Sequence, residues 1–512
     1  MLATVHSATL SGLDSIAVEV QAYFGKGLPG IEIVGLGDTA VRESRVRVKS
    51  AFESSGLSIP KRYVVLNLAP ADVKKSGSTL DLAIAVALLC AGDVIHPGCL
   101  RELLILGELA LSGELRGTRG VLSHLRRAKQ RGITRALVPR ASAPEAALVA
   151  DLDVRYASNL HDVVQYLAGS LELPRALPTD SGDPPSSALD MSDVRGQQSA
   201  KRALEVAAAG GHNLLMLGPP GTGKTMLAQR LGTLLPAPSE AEALEIATIA
   251  SAVGTPAPCS LAAVQRPFRA PHHSASHAAL IGGGTPIRPG EVTLAHGGVL
   301  FLDELPEFAR ATLESLRPTM ESGLAVVARA HERVTWPARP LVVAAMNPCA
   351  CGYADDPTRL CSCPPERVER YRARLSGPLL DRFDLHVALQ RVDARALREG
   401  AHGESSAQVR ERVLAARERQ RARALQASSV NGVERLAELT RPDALLLLDR
   451  ALDRLGLSVR AYVKVLQVAR TIADLAASEL AECEHIAEAV QYRLLDRESD
   501  ASRLFTVSAV TT

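Results

Sequence analysis

The stretch GPPGTGKT at residues 218–225 has the spacing G-x-x-x-x-G-K-[ST] of a phosphate-binding loop. Gly218 and Gly223 let the backbone turn its N–H groups inward around phosphates, and Pro219, Pro220, Gly221 and Thr222 complete the loop. Lys224 supplies a point charge to the β- and γ-phosphates, and Thr225 a hydroxyl ligand for Mg²⁺. A second apolar run, VLFL at 299–302, ends in Asp303 and Glu304. Phosphoryl transfer needs in-line positioning and charge neutralisation more than covalent help, so Asp303 is expected to hold Mg²⁺ through water and Glu304 to orient the attacking water. The cofactors expected are therefore ATP and Mg²⁺.

Three further polar residues suit an ATPase that assembles into a ring. Asn347 ends the apolar run LVVAAMN, where its amide would hold the water or the γ-phosphate. Arg382, in SGPLLDRFDLHV, suits an arginine finger reaching a neighbouring subunit's ATP, and Arg460, in LSVRAYVKVLQVARTIADL, a γ-phosphate sensor. Taken alone, each arginine is more often a solvated or ion-paired surface residue.

Cys349, Cys351, Cys361 and Cys363 are half of the chain's eight cysteines and fall within fifteen residues, in NPCACGYADDPTRLCSCPP. The C-x-C, nine residues, C-x-C pattern can fold back so that four thiolates surround one Zn²⁺, with Pro348 and Pro364 stiffening the two ends; reduced thiols without metal are the alternative. No histidine lies in the run to activate a thiol for catalysis. Cys90, Cys99, Cys259 and Cys483 are scattered and read as small core residues. His272, His273 and His277 offer no evident third ligand at helical spacing, which favours structural or phosphate-contact roles over a metal.

The elements that must position these residues follow from periodicity. Residues 1–170 alternate strand-like runs (SIAVEVQAYF, IEIVGL, RYVVLNLAP, LLILGELAL, RALVP) with helix-like ones (TLDLAIAVALLC, VLSHLRRAKQRG, APEAALVA), an α/β pattern. Residues 171–190, with LPTDSGDPPSSALD, read as a linker; 191–400 alternate strand and helix again; 401–512 are almost entirely helical. Lys plus Arg is 58 against 56 for Asp plus Glu, so any contact with nucleic acid must be local, and 3% aromatic residues argue against a base-stacking surface. The longest apolar run, LAIAVALLC, is too short to span a bilayer and the first residues lack a leader's charged and apolar regions, so no membrane partner and a cytoplasmic place are expected.

Together DVRGQ at 193–197, GPPGTGKT, RPFRAPHH at 266–273, GGGTPIRPGEVTLAHGGVLFLDELPEF, AAMNPCACG and SGPLLDRFDLH resemble the magnesium-chelatase-like AAA+ ATPases, and within them the ComM (YifB) subfamily. The resemblance spans nearly the whole chain. It implies an α/β fold with a Lon-protease-like N-terminal domain, an AAA+ core with a parallel sheet, a C-terminal helical lid and a homo-hexameric ring. It implies a DNA helicase acting on single-stranded or branched DNA, driving branch migration in natural transformation; the alternative is a motor that remodels a protein partner, as chelatase ATPase subunits do. Lys224, Thr225, Asp303, Glu304, Asn347, Arg382 and Arg460 match the family's motif sites, whereas His277 stands where an acid is expected. In the Lon-like third, Thr79 falls at the nucleophile position and Leu122 at that of the lysine base, which favours a non-proteolytic domain; Lys75 with Ser76 or Ser78 is a weaker alternative pair. The stretch 262–296 resembles the family's pore insert, with Arg266, Arg269 and Arg288 as phosphate contacts. A second insert at 323–340 would carry Arg329, His331 and Arg333 at its tip. The arginine-rich run 409–425 keeps apolar residues at helical spacing and reads as a solvated helix joining ring to lid.

Overall fold

Period-two alternation makes Asp14–Gly25 and Tyr63–Ala69 strands with one buried face, and unbroken apolar runs such as Leu341–Met346 make strands buried on both. The computed structural model describes residues 2–58, 62–75, 77–178, 189–255, 258, 260–285, 287–329, 332–354, 356, 359–392, 403–426, 432–455 and 458–493. Ser76, Cys259, His331 and residues 179–188 of the expected linker lie outside them. The chain forms two compact units, Met1–Pro184 with Pro238–Gln265, and Pro185–Ala237 with Arg266–Thr512.

The first unit is built on a seven-stranded sheet: β1 (Leu2–Ser11), β2 (Asp14–Gly25), β3 (Gly30–Val34), β4 (Tyr63–Ala69), β5 (Leu103–Ile105), β6 (Arg135–Pro139) and β7 (Asp153–Ala157), in the order β3-β4-β2-β1-β5-β6-β7. Strand β1 pairs antiparallel with β2 from Leu2↔Tyr23 to Ser11↔Asp14. It is absent from the sequence reading because His6, Ser7 and Thr9 break its apolar run; Ser7 and Thr9 are nevertheless buried. Helices α1 (Thr39–Ser54), α2 (Asp81–Ala91) and α3 (Val121–Gln130) accompany the sheet. α2 is buried all round, and its Asp81 is held by Arg47 Nε at 2.6 Å.

A helix at Glu240–Val253 also belongs to this unit, although it follows the phosphate-binding segment in sequence and falls inside the 191–400 region. It opens with a capping box, in which Ser239 N–H donates to Glu242 at 2.9 Å, and buries Ala243 and Ala247 beside Val121, Leu122 and Leu125 of α3. Its Ser251 carbonyl accepts the Gly120 N–H at 2.9 Å, and its hydroxyl donates to Glu145.

In the second unit α4 (Gln198–Gly210) leads into β8 (Leu214–Leu217) and α5 (Lys224–Leu234), followed by β9 (Phe268–Arg269), the pair β10 (Gly282–Gly283) and β11 (Arg288–Pro289), and β12 (Val299–Leu302). Then come α6 (Arg310–Ser322), the hairpin β13 (Leu324–Arg329) and β14 (Glu332–Pro337), β15 (Leu341–Met346), α7 (Pro365–Arg372) and β16 (Leu385–Ala388). The central sheet is parallel throughout, in the order β9-β12-β15-β8-β16. Residues of helices α8 (Ser406–Gln426), α9 (Pro442–Leu455), α10 (Val459–Leu475) and α11 (Cys483–Gln491) share one buried cluster with that sheet. The arginines of α8 are only partly solvated: Arg410, Arg419 and Arg421 are exposed, yet Arg410 donates to the Thr233 carbonyl at 2.8 Å, Arg417 to the Ala208 carbonyl at 2.7 Å, and Arg423 pairs with Asp474 at 2.6 Å. Val409, Val413 and Ala416 bury the helix, which leaves these guanidinium groups to find partners inside the unit.

Candidate active site

Parallel strands in register bring their carboxyl ends to one edge, where open α/β sheets hold ligands. Leu217 pairs with Met346 and Leu302 with Ala344, so the residues that follow, Gly218, Asp303 and Asn347, meet there. Gly221 and Gly223 adopt φ of +79° and +89°, the left-handed turn that starts α5. Lys224 is buried and donates to the carbonyls of Gly218 (2.7 Å) and Pro219 (2.9 Å) and to Asn347 Oδ1 (3.1 Å). Burial lowers its pKa to about 8, against the opposing pull of Asp303 and Glu304.

Thr225 Oγ1 donates to Asp303 Oδ2 at 2.9 Å, which sets a hydroxyl and a carboxylate side by side with hard oxygen donors suited to Mg²⁺. Glu304 has φ +52°, rare for a residue with a side chain, and its N–H bonds Asp303 Oδ1 at 2.9 Å. His273 Nδ1 stands 3.3 Å from Glu304 Oε2, a pairing the sequence reading missed. Its only sequence signal was the position of HH shortly after the RPFR strand that lies beside β12. His277 begins a short helix, so it and His273 do not share a helical face. Among the described residues, the grouping of three or more potential metal ligands is the four cysteines.

Arg382 precedes β16 and so sits at the edge of the sheet opposite the Lys224 loop. It pairs with Glu321, and burial together with the nearby charges of Arg460 and Arg317 lowers its pKa. The structure thus brings Lys224, Thr225, Asp303, Glu304 and Asn347 together, and Arg382 and Arg460 together elsewhere. Of the expected DNA contacts, Arg266 donates to the carbonyls of Pro236 (2.7 Å) and Gly297 (2.6 Å). Arg269 forms two hydrogen bonds with Glu291, of 2.6 and 2.8 Å. Arg288, Arg329 and Arg333 are exposed. The two inserts meet, since Trp336 packs on Gly282 and Arg329 reaches Thr285 at 3.4 Å.

Sulfur separations are 3.3 Å for Cys349–Cys351, 3.6 Å for Cys349–Cys361 and 3.5 Å for Cys351–Cys361, and all four Sγ atoms, that of Cys363 included, lie within 4.8 Å of one another. Zn–S bonds of about 2.3 Å in a tetrahedron set sulfurs about 3.8 Å apart, so the donor set fits zinc in number, type and spacing. Backbone N–H groups of Ala354 and Cys363 point at Cys349 and Cys361 sulfurs, at 3.2 and 3.4 Å.

Comparison with known proteins agrees with this geometry. Residues 190–397 match the family described as magnesium chelatase, subunit ChlI, residues 18–142 subunit ChlI of Mg-chelatase, and residues 403–493 its C-terminal family. Competence protein ComM of Haemophilus influenzae is 44% identical over 97% of this chain and 98% of its own. The chain belongs to the ComM (YifB) subfamily of magnesium-chelatase-like AAA+ ATPases. The uncharacterized protein YifB of Escherichia coli is 45% identical over 97% of this chain and 98% of its own, and an uncharacterized protein of Mycobacterium bovis 43% over 96% and 98%. The family's AAA+ character carries ATP and Mg²⁺ use with it. No described helix is long and apolar enough to cross a membrane.

Proposed function

We propose that this protein is an ATP-driven hexameric DNA motor, a helicase that promotes branch migration of recombination intermediates in natural transformation. The observation that carries it is the convergence of Lys224, Thr225, Asp303, Glu304 and Asn347 at one sheet edge, with the joined inserts presenting Arg288, Arg329 and Arg333 to solvent. Lys224 would bind the β- and γ-phosphates, and Asp303 and Thr225 would hold Mg²⁺, which when bound would supply neutralisation of the charge that develops in phosphoryl transfer. Glu304, once released from His273, orients the attacking water, and Asn347 holds that water against the γ-phosphate. Arg382 of one subunit completes the site of the next, and Arg460 senses the γ-phosphate. Arg288, Arg329 and Arg333 grip the DNA backbone without reading sequence. The name of the Haemophilus relative, a competence protein, supports the place of action, and we assign the chain to the cytoplasm.

The four cysteines hold one structural Zn²⁺ in this reading. The N-terminal domain is a non-proteolytic platform. Leu122, at the place of a lysine base, is buried, and its N–H is given to Glu145 at 2.8 Å. Lys75 is buried and committed to the Pro70 carbonyl, while Ser78 bonds Glu108.

Steady-state ATP hydrolysis at low salt, without DNA, with single strands and with a branched junction, tests the motor. Stimulation by the junction that fades as salt rises is expected, with Glu304→Gln inactive throughout. Turnover indifferent to every DNA would sink the motor and leave the protein-remodelling alternative.

A further inference from the structure

Between Asn347 and α7 the chain runs from Pro348 to Pro364 with no helix or strand of its own among the described residues. The four cysteines stand at its two ends, and the residues between them touch the nucleotide site. Gly352, at φ +86°, lies so close to Pro220 of the phosphate-binding loop that a Cβ would come within 2.6 Å of the proline ring. That same Cβ position is 3.9 Å from the Asn347 side chain, whose oxygen accepts from Lys224.

Tyr353 is flanked by two guanidinium groups, Arg359 at 4.1 Å and Arg391 at 5.5 Å from the ring centre. Arg391 also pairs with Asp356 of the same loop at 3.2 Å. It follows Gln390, whose carbonyl accepts the Gln197 amide at 2.6 Å, and that amide also reaches the Thr222 carbonyl at 3.2 Å. Arg372 of α7 ties the loop's first residue, donating to the Pro348 carbonyl at 3.2 Å. The loop therefore braces the phosphate-binding turn at Pro220 and, through Arg391, the chain beside Gln197 and Thr222.

A segment without regular structure keeps such contacts only if its conformation is restricted, and a metal joining its two ends supplies that restriction. We propose that the four-cysteine loop is a metal-dependent strut of the nucleotide site: zinc on Cys349, Cys351, Cys361 and Cys363 holds Gly352 and Tyr353 in place, and zinc occupancy thereby sets nucleotide affinity. The inference rests on the ATPase reading above. Linkage makes the effect reciprocal, so bound nucleotide tightens zinc binding by the same factor.

The test uses the full chain, with zinc per chain measured by atomic emission, mant-ADP affinity measured by fluorescence before and after chelation, and far-UV circular dichroism as a check on folding. We expect one zinc per chain and, with helicity unchanged, affinity about tenfold weaker once the metal is removed. The variant Gly352→Ala keeps all four thiolates; it is expected to keep its zinc and still bind mant-ADP about tenfold more weakly. At equilibrium with a colorimetric chelator, saturating ADP should leave more zinc on the protein, with its apparent zinc affinity about tenfold tighter. Affinity unchanged on zinc removal would overturn the strut, as would a chain that neither carries nor takes up zinc. A zinc-loaded wild type that fails to bind mant-ADP would instead overturn the ATPase reading, and the zinc measurement tells the two failures apart.

Discussion

Lys224 carries its charge in a setting that disfavours it: burial pulls its pKa down to about 8, and Asp303 and Glu304 only partly restore it. Phosphates placed against the ammonium favour the protonated form, so above about pH 8 nucleotide binding takes up a proton. Affinity for mant-ATP is therefore expected to be flat below pH 8 and to fall by up to about tenfold per pH unit above it. Lys224→Arg, whose guanidinium does not titrate in this range, should flatten the profile, and a flat profile in the wild type would count against the buried ammonium. The same depressed value makes the unfolded chain hold the proton more tightly from about pH 8 up to the ordinary lysine range, so the fold gains stability as pH rises through that window. At this scale the sequence was informative where a spacing encodes a shape. GPPGTGKT, the two acids after VLFL and the asparagine that ends LVVAAMN named five residues that the fold brings together. His273 beside Glu304 was not legible, because that contact depends on how β9 lies against β12 rather than on any local pattern.

Elements were legible where one periodicity ruled. Strands β2, β4, β12 and β15 follow from alternation or unbroken apolar runs, whereas β1 hides its buried Ser7 and Thr9 among polar letters. The helix at Glu240–Val253 could not be assigned to the first unit from sequence, since its apolar face fits any core. Helix α8 shows how charge misleads: six arginines read as solvated, yet Arg419 donates to the Asp474 carbonyl at 2.8 Å and Arg423 grips the Asp474 carboxylate. Arg470 joins them at 3.0 Å, so one buried carboxylate holds α8 to α10. Removing it leaves two guanidinium groups without their counter-charge, one of them buried. Asp474→Ala is expected to destabilise the protein by about 3–5 kcal/mol, whereas Glu411→Ala on the exposed face of α8 should change stability by no more than about 0.5 kcal/mol. Urea unfolding followed by circular dichroism compares the two, and a similar small loss for both would show that the pair holds nothing.

For the whole molecule the question is how one chain's arginines serve ATP. Strands β8 and β16 run parallel in register from Leu214↔Leu385 to Leu217↔Ala388, a span of about 10 Å. Lys224 follows one end of that span and Arg382 precedes the other, so Arg382 is poorly placed for its own chain's phosphates. Arg382 pairs with Glu321 and lies within electrostatic reach of Arg317, itself paired with Glu314, and of Arg460, a local excess of positive charge that a neighbour's triphosphate would draw in. In the proposed ring, hydrolysis at each interface would then need Glu304 from one subunit and Arg382 from the next. Arg382→Ala should bind mant-ATP about as well as the wild type yet hydrolyse ATP at least about 10³-fold more slowly. Glu304→Gln should be similarly inactive. Co-expressed in equal amounts, the two variants restore both residues at about a quarter of the interfaces, because an Arg382→Ala subunit keeps its Glu304 and borrows Arg382 from a Glu304→Gln neighbour. Activity near a quarter of the wild-type value would place the arginine in trans. A mixture as inactive as its parts would mean either that Arg382 acts within its own chain or that no ring forms, and sedimentation of the mixed sample with ATP separates these outcomes by whether it contains species larger than a single chain.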